Sequence, residues 1–244
     1  MIIDVNGVGV YADGSGDFLF IHGAGMSSDV FERQKNIGMV IDLPNHGRSG
    51  KLDVKSLGDY AEFLIELISE LGLNPVIAGH SMGGAIAQEY ILRGGKARGL
   101  VLISTGAKLP VNPKLIEGLR NNFEEMVEKL GEWIFAKDFE GIRLKQKIKS
   151  MLLQSRNVVL DDFMLCNSFN LEDKYISGEM DFEIPVLIVC GNADVMTPLA
   201  FSEFLRDHIR TSRLAVIHGS GHMPMVEKPS EFNKIVMEYL RNVG

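Results

Sequence analysis

Residues 76–92 read VIAGHSMGGAIAQEYIL. An apolar run leads into the pentapeptide Gly79-His80-Ser81-Met82-Gly83, of the form G-x-S-x-G, and a helical pattern follows it. A serine hydroxyl is a poor nucleophile. A sharp strand-to-helix turn answers that weakness by projecting the hydroxyl into a cleft beside a base, and small neighbours allow the strained backbone. The blander reading is a Gly-rich turn in which Ser81 caps the helix. The choice between them rests on what the rest of the chain supplies.

Outward from this turn, short apolar runs recur: FLFIHG at 18–23, GMVIDLP at 38–44, NPVIAGHS at 74–81, GLVLIS at 99–104, IPVLIVCG at 184–191 and RLAVIHG at 213–219. They are continuous rather than alternating, which predicts strands covered on both faces, as in a mostly parallel sheet flanked by helices. Between them, Tyr60, Phe63, Leu64, Leu67, Ile68 and Leu71 recur at helical spacing after Ser56, a ready N-cap. Phe232, Ile235, Val236, Tyr239 and Leu240 repeat that pattern at the C-terminal end, with Gly244 beyond the last turn. Strand and helix alternate, so the fold class is α/β.

The alternation stops between Ala107 and Glu183. Ile116, Leu119, Phe123, Met126, Val127, Leu130 and Ile134 form one amphipathic stripe; Ile148, Met151 and Leu152, then Leu160, Phe163 and Met164, suggest others. A structureless loop of this length is improbable in a compact domain, so three or four short helices are expected to form a cap over the sheet. The organisation read from the chain is a core of residues 1–106 and 184–244 with a helical cap, 107–183, inserted into it.

Two further segments bear on Ser81. Asp194 follows the run IPVLIVCG in GNADVMTP, and His222 follows RLAVIHG in GSGHMPMVEKP. Both fall just beyond predicted strand ends, where an open α/β sheet gathers its loops around a ligand. Singly, Asp194 reads as a turn carboxylate and His222 as a solvated loop histidine. Together, in the order Ser, Asp, His, they read as a nucleophile, an orienting acid and a base.

With these segments in view, the chain resembles the α/β-hydrolase family over nearly its whole length, in particular its carboxylesterases. HGAG at 22–25 resembles the oxyanion loop, DLPNHGRS at 42–49 the D-x-P-G-H-G-x-S segment, and GHSMGG at 79–84 the nucleophile elbow. Asn45 stands where glycine is common in the family; asparagine is the substitution that best tolerates a left-handed backbone. The N-terminal segment is short, and the first strands are expected to be abbreviated. Members that use aspartate as nucleophile, the dehalogenases and epoxide hydrolases, are disfavoured by Ser81. In other members the acid follows the preceding strand, but that position holds Ser104-Thr105, so Asp194 is the better candidate.

The resemblance implies acyl transfer to water. His222 accepts the Ser81 proton and returns it to the leaving group, while Asp194 holds the imidazole tautomer. The backbone N–H groups of Ala24 and Met82 are the expected oxyanion donors, with Gly23 and Gly25 allowing close approach. All three side chains lie outside the insertion, so the core is expected to position them by itself and the cap to choose the acyl group. Met26, Trp133, Phe135, Phe163 and Met223 are candidate substrate-binding residues. A carboxylic ester with a small or medium apolar acyl group is the default substrate. Lactone, thioester and carbon–carbon cleavage are alternatives within the fold, and a small-molecule receptor retaining the triad is an alternative from another class.

Composition narrows the field. A chain of 244 residues with 45% apolar content suits one sizeable core. A net charge of -7 argues against nucleic acid as a partner. The N-terminus lacks a signal-peptide pattern and no segment has the roughly 18 apolar residues of a membrane span, so a cytoplasmic protein is expected. Cys166 and Cys190 suggest buried packing rather than a disulfide. No His, Cys and carboxylate spacing suggests a metal site, and a triad needs no cofactor, so none is expected. The expected partners are a small-molecule substrate and water. The other histidines, and Arg143, Lys145, Lys147 and Lys149, read as loop-orienting and solvated groups respectively.

Overall fold

The computed structural model describes residues 1–154, 156–180 and 182–243. All six apolar runs form strands. In chain order the strands are β1 (Ile2–Val5), β2 (Val8–Gly14), β3 (Phe18–Ile21), β4 (Gly38–Ile41), β5 (Val76–His80), β6 (Gly99–Ile103), β7 (Val186–Gly191) and β8 (Ser212–Ile217). They make one eight-stranded sheet in the order β1-β2-β4-β3-β5-β6-β7-β8. Pairing is parallel from β4 to β8 and antiparallel at β1–β2 and β2–β4. The helices are α1 (Leu57–Glu70), α2 (Met82–Leu92), α3 (Pro113–Asn121), α4 (Phe123–Trp133), α5 (Ile142–Gln154), α6 (Arg156–Ser168), α7 (Glu172–Ser177), α8 (Leu199–His208), α9 (Pro224–Glu227) and α10 (Pro229–Leu240).

Every residue of β3, β5, β6 and β7 is buried, which is what a continuous apolar run in a covered parallel sheet requires. β8 departs from that expectation: only Ile217 is buried, because the strand is the sheet edge and pairs on one side alone. At the N-terminus β1 has only four residues and β2 seven. β1 and β2 form a full hairpin around Asn6-Gly7, whose φ values of 52° and 84° are those of a type I′ turn. The Asn-Gly dipeptide in MIIDVNGVGV is the signal for it.

Ser56 caps α1 as expected. Its Oγ accepts the Asp59 N–H at 3.3 Å and the Asp59 carboxylate accepts the Ser56 N–H at 2.9 Å, a reciprocal capping box. In α10, Phe232, Val236 and Tyr239 are buried; Gly244 lies outside the described residues. Between β6 and β7 the described residues form five helices rather than three or four. The stripe expected to run from Ile116 to Ile134 is divided at Asn122, whose φ of -139° and ψ of 58° end α3 and restart the chain as α4. An asparagine pair at 121–122 favours this break, since its amides compete for the backbone. The start of the segment between β6 and β7 is tied to the residue that precedes α7, Leu171 N–H donating to Ala107 O at 2.7 Å. No helix among the described residues is long and apolar enough to cross a membrane.

Replacing Ser56 by Ala removes one half of the capping box and leaves the core untouched. Its expected cost is about 1 kcal/mol, read as a lower urea midpoint with an unchanged m-value.

Candidate active site

The turn after β5 has the strain that the G-x-S-x-G reading requires. Ser81 has φ 53° and ψ -115°, an unfavourable conformation for an L-residue, and its side chain makes no cap bond to α2. Capping therefore does not explain the serine. Its backbone is held instead from β6 and the segment beyond: Ser81 N–H donates to Ile103 O at 2.8 Å, and Thr105 Oγ1 donates to Ser81 O at 2.9 Å. A Cβ on Gly79 would meet Gly83 O at 2.2 Å, and one on Gly83 would meet Ile21 O at 2.3 Å, so only glycine lets the turn close against β3. Thr105, read only as the wrong residue for an acid, thus has a role in holding the elbow.

Asp194 and His222 meet as expected. His222 Nδ1 lies 2.9 Å from Asp194 Oδ2, with both side chains buried. Asp194 also accepts N–H groups of Met196 and Thr197 at 2.8 and 2.9 Å on Oδ1, and the Thr197 hydroxyl at 2.7 Å on Oδ2. Burial pushes its carboxyl up, but the charge and hydrogen bond of His222, together with the Thr197 donors, outweigh burial and the net direction is down. An ionised Asp194 fixes the proton on Nδ1 and leaves Nε2 with a lone pair. Thr197 Oγ1 lies 3.2 Å from Nδ1 and, its own proton being given to Asp194, accepts there too. The spacing Asp-x-x-Thr in DVMT is the sequence signal for this second partner.

The loop carrying His222 has its own anchor, which sequence reasoning missed. Buried Glu227 accepts the N–H groups of Gly221 at 2.9 Å, Met223 at 3.2 Å and Ala136 at 2.9 Å, and the Ser220 hydroxyl at 3.3 Å. His222 N–H donates to Ile134 O at 2.9 Å, so the loop is fastened to the chain just after α4. Beneath it, His80 Nε2 donates to His222 O at 2.9 Å; burial, then the nearby His222, pushes the His80 ring down to about 3, so it stays neutral.

Ser81 and His222 open onto a cavity of about 400 Å³. Of the candidate binding residues, Met26, Trp133 and Phe163 line it, with Trp133 at the rim and 41% exposed. Phe135 and Met223 do not. Phe135 stacks on Phe139 at 5.1 Å inside the core, and Met223 is fully buried beneath the Glu227 clasp. Leu115, Leu130, Leu152, Cys166, Met196 and Phe201 line the cavity instead. Among the described residues, no Asp, Glu, Lys or Arg side chain lines it. Burial pushes the Cys166 thiol well up, which keeps it un-ionised, and Cys190 is likewise raised by burial inside β7. Ala24 lines the cavity and Met82 begins α2; among the described residues neither N–H is committed to a protein acceptor.

The segment 42–49 is bonded to His22, Ser28 and Asp162 of α6. Asn45 has φ 72°, the left-handed conformation expected of it, and its amide braces the loop through Leu52 O at 2.9 Å. Burial acts to raise Asp42, but the Arg48 side chain and the Ser28 and Arg48 N–H groups hold it down at about 2. His22 accepts the Leu43 N–H at 3.0 Å and is pushed down to about 3, first by burial and then by neighbouring His46. His46 is not merely a turn residue, because its Nε2 lies 2.7 Å from buried Asp162 on α6. No group of three or more His, Cys, Asp or Glu that could hold a metal occurs among the described residues.

The α/β-hydrolase family model matches residues 18–235, and the chain belongs to that family. A solved structure of a thermophilic esterase superposes with a TM-score of 0.95 at 36% identity, covering 100% of this chain and 98% of that one. A putative esterase/lipase from Mycoplasma pneumoniae is 26% identical over 93% of this chain and 90% of its own length. The pimeloyl-[acyl-carrier protein] methyl ester esterase of Yersinia enterocolitica is 21% identical, with 94% and 95% covered.

Asp42 supplies a pH test of this electrostatic frame. Its folded-state value of about 2 lies below the ordinary 3.8, so its ionised form contributes stability that is complete above about pH 4 and lost as pH falls through 2. The shift corresponds to roughly 2 kcal/mol. Asp42→Asn should therefore be less stable than the parent at neutral pH. Urea titrations across this range should show the two curves converging towards pH 2, and a constant gap would contradict the assignment.

Proposed function

We propose that this chain is a serine hydrolase that cleaves carboxylic esters with small or medium uncharged acyl groups through an acyl-enzyme on Ser81. The observation that carries the reading is the cavity onto which Ser81 and His222 both open, lined by no charged side chain among the described residues. A charged acyl group would lose its hydration there without gaining a partner, whereas an alkyl chain gains from leaving water. The similarity to esterases supports the same reaction class.

In this mechanism His222 Nε2 takes the Ser81 proton as Oγ attacks the acyl carbon. Asp194, held ionised by His222 and Thr197, keeps Nδ1 protonated and stabilises the imidazolium that forms. The oxyanion of the tetrahedral intermediate is met by the N–H groups of Ala24 and Met82. His222 then protonates the departing alcohol, and water repeats the sequence on the acyl-enzyme. The helices of 107–183 act as a cap: Leu115, Leu130 and Phe163 supply the wall that excludes water and measures acyl length.

Two outcomes test the proposal. Across p-nitrophenyl esters of increasing chain length, kcat/KM should rise from acetate and fall once the chain outgrows the cavity, and a terminal carboxylate should depress it. Ser81→Ala and His222→Ala should each remove most turnover, by roughly 10⁴-fold or more, and the double variant should be little worse because the two act as a unit. Additive losses would contradict the shared role.

A further inference from the structure

One buried carboxylate has no place in that mechanism. Asp162 on α6 is 1% exposed, and its Oδ2 accepts two hydrogen bonds, from Gly25 N–H at 2.7 Å and from His46 Nε2 at 2.7 Å. Gly25 belongs to the loop HGAG and directly follows Ala24, the proposed oxyanion donor. His46 is bound on both ring nitrogens to oxygen acceptors, Nε2 to Asp162 and Nδ1 to Pro44 O at 2.9 Å. The carbonyl of Pro44 requires a proton on Nδ1, and a second proton on Nε2 makes the ring an imidazolium paired with Asp162, the form its surroundings favour. Burial acts to lower His46, but the charge and hydrogen bond of Asp162 prevail and the net direction is up. The other titratable groups around it are His22, at 4.8 Å between ring centroids, Tyr60 at 6.2 Å, and Asp42, which favours the charged ring.

The packing repeats this connection. A Cβ on Gly25 would meet Val159 Cγ2 at 2.5 Å and Leu152 Cδ2 at 3.0 Å, so α5 and α6 lie directly on the loop. Val159, Asp162, Phe163 and Cys166 are spaced as one face of α6. That single face touches the oxyanion loop through Val159 and Asp162, and forms cavity wall through Phe163 and Cys166.

Resting on the esterase reading above, we propose that Asp162 is a positioning residue: from the helical insertion it fixes the Gly25 amide, and with it the aim of the adjacent Ala24 N–H at the oxyanion. Asp162 does not line the cavity, so its effect falls on the transition state rather than on substrate binding.

The test uses the full-length protein and a short p-nitrophenyl ester. Asp162→Asn keeps the shape but offers a neutral acceptor where a carboxylate served two donors. The expected result is a loss of kcat of about tenfold with KM within about twofold, and an alkylboronic acid, whose adduct with Ser81 imitates the tetrahedral state, should weaken in parallel. Asp162→Ala should lose more, roughly a hundredfold in kcat. Where Asp162→Ala is unfolded by circular dichroism, Asp162→Asn decides alone. A merely structural role would lower Tm without separating kcat from KM, and that result, or an unchanged kcat in Asp162→Asn, overturns the proposal. Amide hydrogen exchange at residues 23–26 provides a readout independent of turnover: it should accelerate in Asp162→Asn, and unchanged exchange overturns the anchor. Faster exchange in a protein without Ser81-dependent ester turnover would instead reject the esterase reading and retain the anchor.

Discussion

The backbone of Ser81 is the constraint on which the site depends. A non-glycine residue at φ 53° and ψ -115° costs of the order of 1–3 kcal/mol, and it persists only where its surroundings leave no alternative. Here the surroundings are the centre of the sheet. β5 is paired on both sides, the Ser81 N–H continues the ladder to Ile103 O, and α2 begins so close to β3 that Gly83 has no room for a side chain. The stability of the buried central strands is thereby used to hold one side chain above the C-terminal edge of the sheet. Asp194 and His222 arrive at the same edge because β7 and β8 run parallel to β5 and end there.

A second regularity concerns carboxylates. Asp42, Asp162, Asp194 and Glu227 are all buried, and an unpaired charge at such depth would be costly. Each is supplied with several donors from segments distant in the chain: Asp42 joins Ser28 to Arg48, Asp162 joins Gly25 to His46, Asp194 joins Thr197 to His222, and Glu227 joins Ala136 to the loop of His222. Loops cannot be fixed by apolar packing alone because their backbone N–H groups require acceptors. A charged acceptor with several donors holds more of them, and more tightly, than water or a carbonyl. Three of the four bear on the proposed oxyanion or histidine loops.

This division also explains which features are legible in the amino-acid order. The strands of the parallel sheet could be read because burial on both faces writes continuous apolar runs, and Asp194 and His222 because they follow such runs directly. The Ser56 cap and the left-handed Asn45 are local effects of the same kind. The β1–β2 hairpin had a local signal, Asn6-Gly7, that a search for continuous runs passes over, since its strands are only partly buried. Glu227 and Asp162 are different. Their partners lie 91 and 137 residues away at Ala136 and Gly25, and nothing near either carboxylate announces those contacts. Aromatic and methionine side chains in the insertion were ambiguous for a related reason: Phe135 and Phe163 have the same chemistry, and only the packing decides that one faces its neighbour Phe139 and the other the cavity.

The same long-range contacts alter the relation between insertion and core. Because the three proposed catalytic side chains lie outside residues 107–183, the core reads as sufficient by itself, with the helices as a replaceable roof. The contacts run the other way. Ile134 O takes the His222 N–H, Ala136 N–H shares the carboxylate that shapes the histidine loop, and Asp162 holds the amide next to Ala24. Replacing the insertion with a flexible linker would therefore leave buried donors of both loops without acceptors, a penalty of about 1–3 kcal/mol for each group. In the proposed reading, chemistry and acyl selection are therefore not separable modules. A shift of α6 at Phe163 carries Asp162, one residue earlier, with it, so the proposed acyl wall and the proposed anchor of the oxyanion loop move as one rigid face.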